Sequence, residues 1–400
     1  MKIQSIRDAD VTGQRVFVRV DFNVPLADGK VTDDSRIRAA IPTIQHLLNQ
    51  GARVILASHL GRPDGRVQDG LRLRPVAARL SQLMRRSVPV TGDALGVGTS
   101  DAVKRLRAGE VLLLENLRFH AAEEKNDPEF AAALASYADV YVNDAFGTAH
   151  RAHASTVGVP MLLPAYAGFL MEREIEMLSN LVESPKHPFA AIVGGAKVSD
   201  KLRVLDNLLA RVDLMILGGG IANTFLLAMG KTIGKSLAEH DMVDEARRVL
   251  ADAEKRGVRI ILPVDVIVAK EVTRGTEYKT LLAEKIPASW HIVDIAKDTI
   301  ELIEGALADV KTAFWNGPLG VFEIPSFAHG TKAVARVLAE RAQAGATVVA
   351  GGGDSVAAIQ QQGLASAFTH ISTGGGASLE FLEGRELPGI AVLRDRAAVA

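Results

Sequence analysis

An α/β protein in two units, each a parallel sheet covered by helices on both faces, is what the sequence calls for. Three observations carry this. Short β-rich runs alternate with helical patterns along most of the chain, an alternation that builds parallel sheets buried on both faces. The rhythm breaks near residue 185 and restarts near 187. At 400 residues the chain exceeds what one core normally supports.

The first run, "RVFVRVDFNVPL", aligns Val16, Val18, Val20, Phe22 and Val24 as an apolar face and sets Arg19, Asp21 and Asn23 opposite them; Pro25 ends it. "RVILAS", "VLLLEN" and "DVYVND" are the next strands. Between them "DDSRIRAAIPTIQHLLNQG" starts on Asp/Ser and stops on Gly, as a helix does, and Asp127-Pro128 is a cap followed by Pro at the first helical position. Residues 168 to 184 have helical periodicity that Ser184-Pro185 breaks, which predicts a helix joining the units. "FAAIVGG", "VDLMILGGG", "VRIILP", "KTAFWNG" and "ATVVAGGG" are the strands of the second unit.

Composition excludes several classes. There is no cysteine, hence no disulfide, thiol catalysis or Cys-ligated metal. No apolar run reaches the roughly 18 residues of a membrane helix, and the N-terminus lacks a basic region followed by an apolar stretch, so a cytoplasmic protein with no membrane partner is the expectation. A net charge of −1 argues against a nucleic-acid partner. The charge is unevenly spread. Residues 1 to 170 hold 21 Lys and Arg, 17 of them Arg, against 18 Asp and Glu. Arg is the better bidentate partner for carboxylate and phosphate.

In the second unit Gly194-Gly195, Gly218 to Gly220 and Gly351 to Gly353 each end a strand and precede a helix. Ligands of open α/β sheets sit at such strand ends, where glycine lets backbone approach and helix N-termini favour anions. This predicts a nucleotide or phosphate site. It fits neither familiar fingerprint. "GKTIGKS" has three residues where a P-loop needs four, and Asn223 and Val356 stand where a dinucleotide motif needs its third glycine. The H-R-D and D-F-G of protein kinases are missing. In "GGAKVSDK", Lys197 and Lys201 are four apart and share a face if the helix begins there. Asp354, behind three glycines, reads as a helix N-cap or a Mg²⁺ ligand. "STGGGASLEF" adds a glycine-rich helix start at Gly374 to Gly376.

In the first unit His59 and Arg62 end one strand and Arg118 another, and "AFGTAHRAHAST" gathers His150, Arg151 and His153. Arginines among the histidines would repel a zinc ion, so converging arginines point to an anionic substrate.

"RVDFNVPL", "ASHLGRP", "ENLRFH", "NDAFGTAHRAHAS", "GGAKVSDK", "WNGPLGVFE", "GGGDS" and "STGGGASLE" together resemble the phosphoglycerate kinase family, in order and across essentially the whole chain. The resemblance implies two Rossmann-like three-layer domains in a hinge-bending kinase. It places a triose domain over 1–170 with 386–400 returning to it, an interdomain helix and linker over 171–186, and a nucleotide domain over 187–385. It implies Mg²⁺-dependent phosphoryl transfer between 1,3-bisphosphoglycerate and ADP, giving 3-phosphoglycerate and ATP, by a cytoplasmic monomer. Asp21, Phe22, Asn23, Arg36, His59, Leu60, Gly61, Arg62, Arg118 and Arg151 match its triose positions. Lys201, Gly219, Asn316, Pro318, Glu323, Gly352, Gly353, Asp354 and Ser355 match its nucleotide positions, with Mg²⁺ on Asp354. Arg36, Lys197 and Gly375 match its catalytic ones. Ser355 stands where many members have Thr, and Leu319 where Met is frequent. By position along the strand, Arg19 is expected to orient Asp21.

Overall fold

The computed structural model describes residues 3–394. It divides into two compact units, Met1–Glu176 with Glu386–Ala400, and Met177–Arg385. Residues 395–400 of the returning segment lie outside the described residues.

In the first unit five parallel strands form one sheet, ordered β5-β4-β1-β6-β7: β1 (Arg15–Val20), β4 (Arg53–Ala57), β5 (Val111–Leu113), β6 (Val140–Asp144) and β7 (Ala165–Ala167). A small hairpin of β2 (Leu26–Ala27) and β3 (Lys30–Val31) stands beside it. The central strand β1 is buried on both faces from Val16 to Val20, so its polar face has to find partners inside the protein. Helix Ser35–Asn49 covers one face with Ile37, Ile44 and Leu47 and stops before Gly51 at φ +74°. Helix Pro128–Ala135 starts as read from the sequence, the Asp127 carboxylate accepting from the N–H groups of Glu129 and Phe130. The returning segment docks by main-chain bonds: Gln4 N–H donates to Leu393 O, Gly389 N–H to Ala149 O, and the Asn143 amide to Gly389 O.

Helix Phe169–Glu183 begins in the first unit and ends in the second. Six parallel strands form the main sheet of the second unit, ordered β10-β9-β8-β14-β15-β16: β8 (Phe189–Val193), β9 (Leu214–Leu217), β10 (Arg259–Ile261), β14 (Thr312–Asn316), β15 (Thr347–Gly351) and β16 (His370–Ile371). Beside it lies an antiparallel sheet, β12-β11-β13, of β11 (Asp265–Ala269), β12 (Tyr278–Leu282) and β13 (His291–Ile295), which the strand rhythm did not reveal. Trp315, Phe314 and Ile192 fill the core beneath the strand ends. Among the described residues no helix is long and apolar enough to cross a membrane.

Among the carboxyl groups buried at helix starts are Asp144 in the first unit and Asp294 in the second. Asp144 accepts from Leu170 N–H, and Asp294 from Gly330 N–H. Burial pushes both up to about 7, against the backbone donors that pull the other way. Between an unfolded value of 3.8 and about 7, the unfolded chain gives up these protons while the folded chain keeps them. Their contribution to stability is therefore complete below that window and is lost as pH rises through it. Denaturant unfolding should show Asp294→Asn flattening the fall by a few kcal/mol. An unchanged pH profile would show that Asp294 is ionised in the fold.

Candidate active site

The first unit gathers its cations at the carboxyl ends of β1, β4, β5 and β6. The strand ends at Val20, and the chain then turns so that Phe22 N–H donates to Ser58 Oγ at 2.9 Å. This turn overturns the expected partner of Asp21. Arg36, in the first turn of helix Ser35–Asn49, donates from Nη1 to Asp21 Oδ2 at 2.8 Å and to Asn23 O at 3.3 Å. Arg19 stays behind on the strand, fully buried, and donates instead to Ser155 Oγ, Val20 O and His59 Nδ1. Asn23 Oδ1 accepts from Gly61 N–H at 2.9 Å, and buried Leu60 donates its N–H to Asn116 Oδ1, so the "SHLG" turn is fixed on both sides.

Arg118 is 3% exposed. Its Nη1 donates to Gly61 O at 2.8 Å, its Nε lies 3.3 Å from Glu124, and Nη2 has no partner among the described residues. Burial draws its pKa down to about 10, which leaves it charged at pH 7. Arg151 is half-buried and donates to His150 Nε2, and Arg62 is exposed. Burial, then the field of Arg19, Arg118, Arg151 and Arg36, holds His59 well below 6.5. Burial and the same kind of neighbours press His153 to about 3. Both imidazoles are thus neutral among guanidiniums, a setting that suits an anion.

The glycine turns of the second unit pack against one another. A Cβ on Gly194 would stand 2.0 Å from Pro318 O, and one on Gly219, at φ +62°, 2.7 Å from Gly195 O. These glycines therefore serve close approach of turn to turn, whereas Gly353 and Gly375 face open space. Lys197 and Lys201 do not share a helical face. Gly195 takes φ +120°, Ser199 is tied to Glu239 by N–H and hydroxyl bonds, and the helix begins only at Leu202. Lys197 stands exposed on the loop, and Lys201 is drawn inward to donate to Asn316 Oδ1. Burial lowers Lys201 to about 8, with Asp200 and Asp354 opposing.

Asn316 is buried at the end of β14, with its Nδ2 unpartnered among the described residues and Gly352 against it. Gly352, at φ +88°, is itself the cap of helix Gly353–Gln361, so Asp354 is not the N-cap; it sits exposed in the first turn. Ser355 is buried, and its hydroxyl accepts from Gly317 N–H at 2.6 Å, which fixes the turn before Pro318. Glu323 is exposed beyond that turn. Gly375, at φ +54°, precedes helix Gly376–Leu382. The arrangement offers cations to phosphates, and the exposed carboxylate of Asp354 to their counter-ion.

The family model described as phosphoglycerate kinase matches residues 6–385. The chain belongs to the phosphoglycerate kinase family. Relatives in that family include the phosphoglycerate kinases of Pelotomaculum thermopropionicum, 55% identical over 99% of this chain and 100% of its own, and of Moorella thermoacetica, 55% identical over 98% and 99%. The solved phosphoglycerate kinase of Coxiella burnetii is similar with a TM-score of 0.88, at 42% identity over 98% of this chain and 99% of that one. The Pyrococcus horikoshii enzyme gives 0.86 at 37% identity, over 98% of each. As a member of this family the chain is a kinase with the two-domain α/β fold. Sequence reasoning passed over Glu123 and Ser155, which lie with Arg19 behind the arginine cluster. Nothing in "AAEEKND" distinguishes the fully buried Glu123 from an exposed helix glutamate.

Proposed function

We propose that the chain catalyses reversible transfer of a phosphoryl group from 1,3-bisphosphoglycerate to ADP, giving 3-phosphoglycerate and ATP. The observation that carries this is the family match across residues 6–385. The triose belongs to the first unit, on Asp21, Phe22, Asn23, Arg36, His59, Leu60, Gly61, Arg62, Arg118 and Arg151, where the unpartnered Arg118 Nη2 awaits an anion. The nucleotide belongs to the second, on Lys201, Gly219, Asn316, Pro318, Glu323, Gly352, Gly353, Asp354 and Ser355. We place the reaction in the cytoplasm, by a monomer.

Asp354 suits Mg²⁺: it is an exposed oxygen donor close enough to Lys201 to affect its titration, and Mg²⁺ is commonly held by one carboxylate with phosphates and water. Bound there with the nucleotide, the ion would neutralise phosphate charge. The chain's own residues do the rest. Both acceptor oxygens of this reaction are already ionised, so no general base is needed, and the work is alignment and charge neutralisation. Arg36 and Lys197 are assigned to the moving phosphoryl group, with N–H groups at Gly375. Since these residues belong to different units, we propose that the units close on the substrates. Scattering should show a smaller radius with both substrates bound than with either alone, and an unchanged radius would refute closure.

Turnover of 3-phosphoglycerate and MgATP, read by coupled NADH oxidation, tests the reading. The chain should turn over rapidly, and Arg36→Ala, which strips Asp21 of its ion pair as well as the substrate of a cation, should lose about 100-fold or more in kcat/KM. A folded, triose-binding chain without turnover would instead be a binding protein.

A further inference from the structure

Behind the arginine cluster lies a buried chain of polar groups that touches no solvent. Arg19, Glu123 and Ser155 are each 0% exposed. Ser155, in the helical turn Ala154–Gly158, donates its N–H to Glu123 Oε2 at 3.0 Å and its hydroxyl to Oε1 at 2.5 Å. The Ser155 hydroxyl in turn accepts from Arg19 Nε at 2.8 Å, and Tyr141 O–H holds the Ser155 carbonyl at 2.9 Å. At the far end Arg19 Nη2 meets His59 Nδ1 at 3.2 Å.

Donor arithmetic fixes the protons. Arginine has only donors, so His59 Nδ1 must accept and the single ring proton must sit on Nε2. The serine hydroxyl has one proton; with a donor at Arg19, it must point at Glu123. Only the ionised carboxylate leaves every member of the chain satisfied, and it supplies the counter-charge that a fully buried guanidinium requires. Burial raises the Glu123 pKa while Arg19 and Ser155 hold it back. Among the described residues His59 Nε2 has no hydrogen-bond partner.

We propose that Glu123, acting through Ser155 and Arg19, is a positioning residue that locks His59 as the neutral Nε2–H tautomer, so that the imidazole gives an anionic substrate a directed N–H donor instead of a charge. The four guanidiniums facing His59, those of Arg19, Arg36, Arg118 and Arg151, supply the charge, and the imidazole supplies direction. The identity of the anion rests on the function proposed above; the state of the ring does not.

Nitrogen-15 histidine spectra of the substrate-free protein test this, with the His59 signals assigned by their loss in His59→Gln. The wild type should show a neutral ring protonated at Nε2, unchanged as pH falls through 6.5. Ser155→Ala and Glu123→Gln should both release the ring to exchanging tautomers and raise KM for 3-phosphoglycerate about tenfold, the worth of one hydrogen bond to an anion, with kcat within about twofold. An Nδ1–H ring or an imidazolium in the wild type would overturn the inference, and so would an unchanged ring in both variants. If one variant loses its fold by circular dichroism, the other carries the comparison, and the wild-type spectrum decides the tautomer by itself. Absence of turnover alongside a locked Nε2–H ring would sink the kinase reading and leave this one standing.

Discussion

Lys197→Ala lowers kcat by about 10²- to 10³-fold while KM changes little, as when a donor to transition-state charge is removed. Beyond its field on Glu239, the structure gives this lysine nothing else to do. It stands exposed on the loop after β8 and forms no ion pair or hydrogen bond among the described residues. Its removal should therefore leave folding untouched, and the loss should fall on chemistry alone. Lys201→Ala is the contrast: it removes a half-buried partner of Asn316, so thermal stability and nucleotide affinity should move together with rate. Initial rates over a range of both substrates, with Tm measured beside them, separate the two. A kcat near wild type in Lys197→Ala would withdraw it from the reaction.

Gly194→Val costs about 3 kcal/mol or more and abolishes tight nucleotide binding. The added Cβ would stand 2.0 Å from Pro318 O and 2.8 Å from Gly317 O, and both are backbone, which cannot rotate away. Relief requires the turn after β14 to shift, which breaks the bond from Gly194 N–H to Asn316 O and disturbs the one from Gly317 N–H to Ser355. Overpacking of this kind costs about 1 to 3 kcal/mol even where side chains can adjust. Gly305→Ala, within helix Lys297–Leu307 and away from the nucleotide residues, is the control, because its methyl group meets nothing within 4 Å. Calorimetry and ADP titration read both. A Gly194→Val protein as stable as wild type would mean that the turns are not packed as described.

Much of this was legible in the residues. Alternation of strand and helix, the cap at Asp127-Pro128 and the glycines after β8, β9 and β15 are local signals, and local physics produces them. The antiparallel sheet was hidden because β11 follows β10 after only three intervening residues, so "RIILPVDVIVA" reads as one apolar run split by Pro263. Strands as short as Ala165–Ala167 and His370–Ile371 are too brief to show a period. The expected pairing of Arg19 with Asp21 failed because period-two reasoning assumes that the strand continues, whereas it ends at Val20. The shared face of Lys197 and Lys201 failed likewise, since the helix starts one residue after Lys201. The chain from Glu123 through Ser155 to Arg19 joins residues 32 and 136 positions apart, a separation at which one sequence carries no signal.

The returning segment bears on how the protein is made. Ile3 bridges to Arg394, and Gly389 and Leu393 bond to residues of the first unit. A ribosome releases the first unit's strands early, yet residues 386–394, which belong to that unit, are synthesised after the whole of Met177–Arg385. The second unit is thus an insertion that has all its residues in hand before its host does. On a growing chain it completes first, and the arginine-bearing unit waits, its Asn143 amide and Ala149 carbonyl still open to water, until translation delivers the strand of chain that closes it.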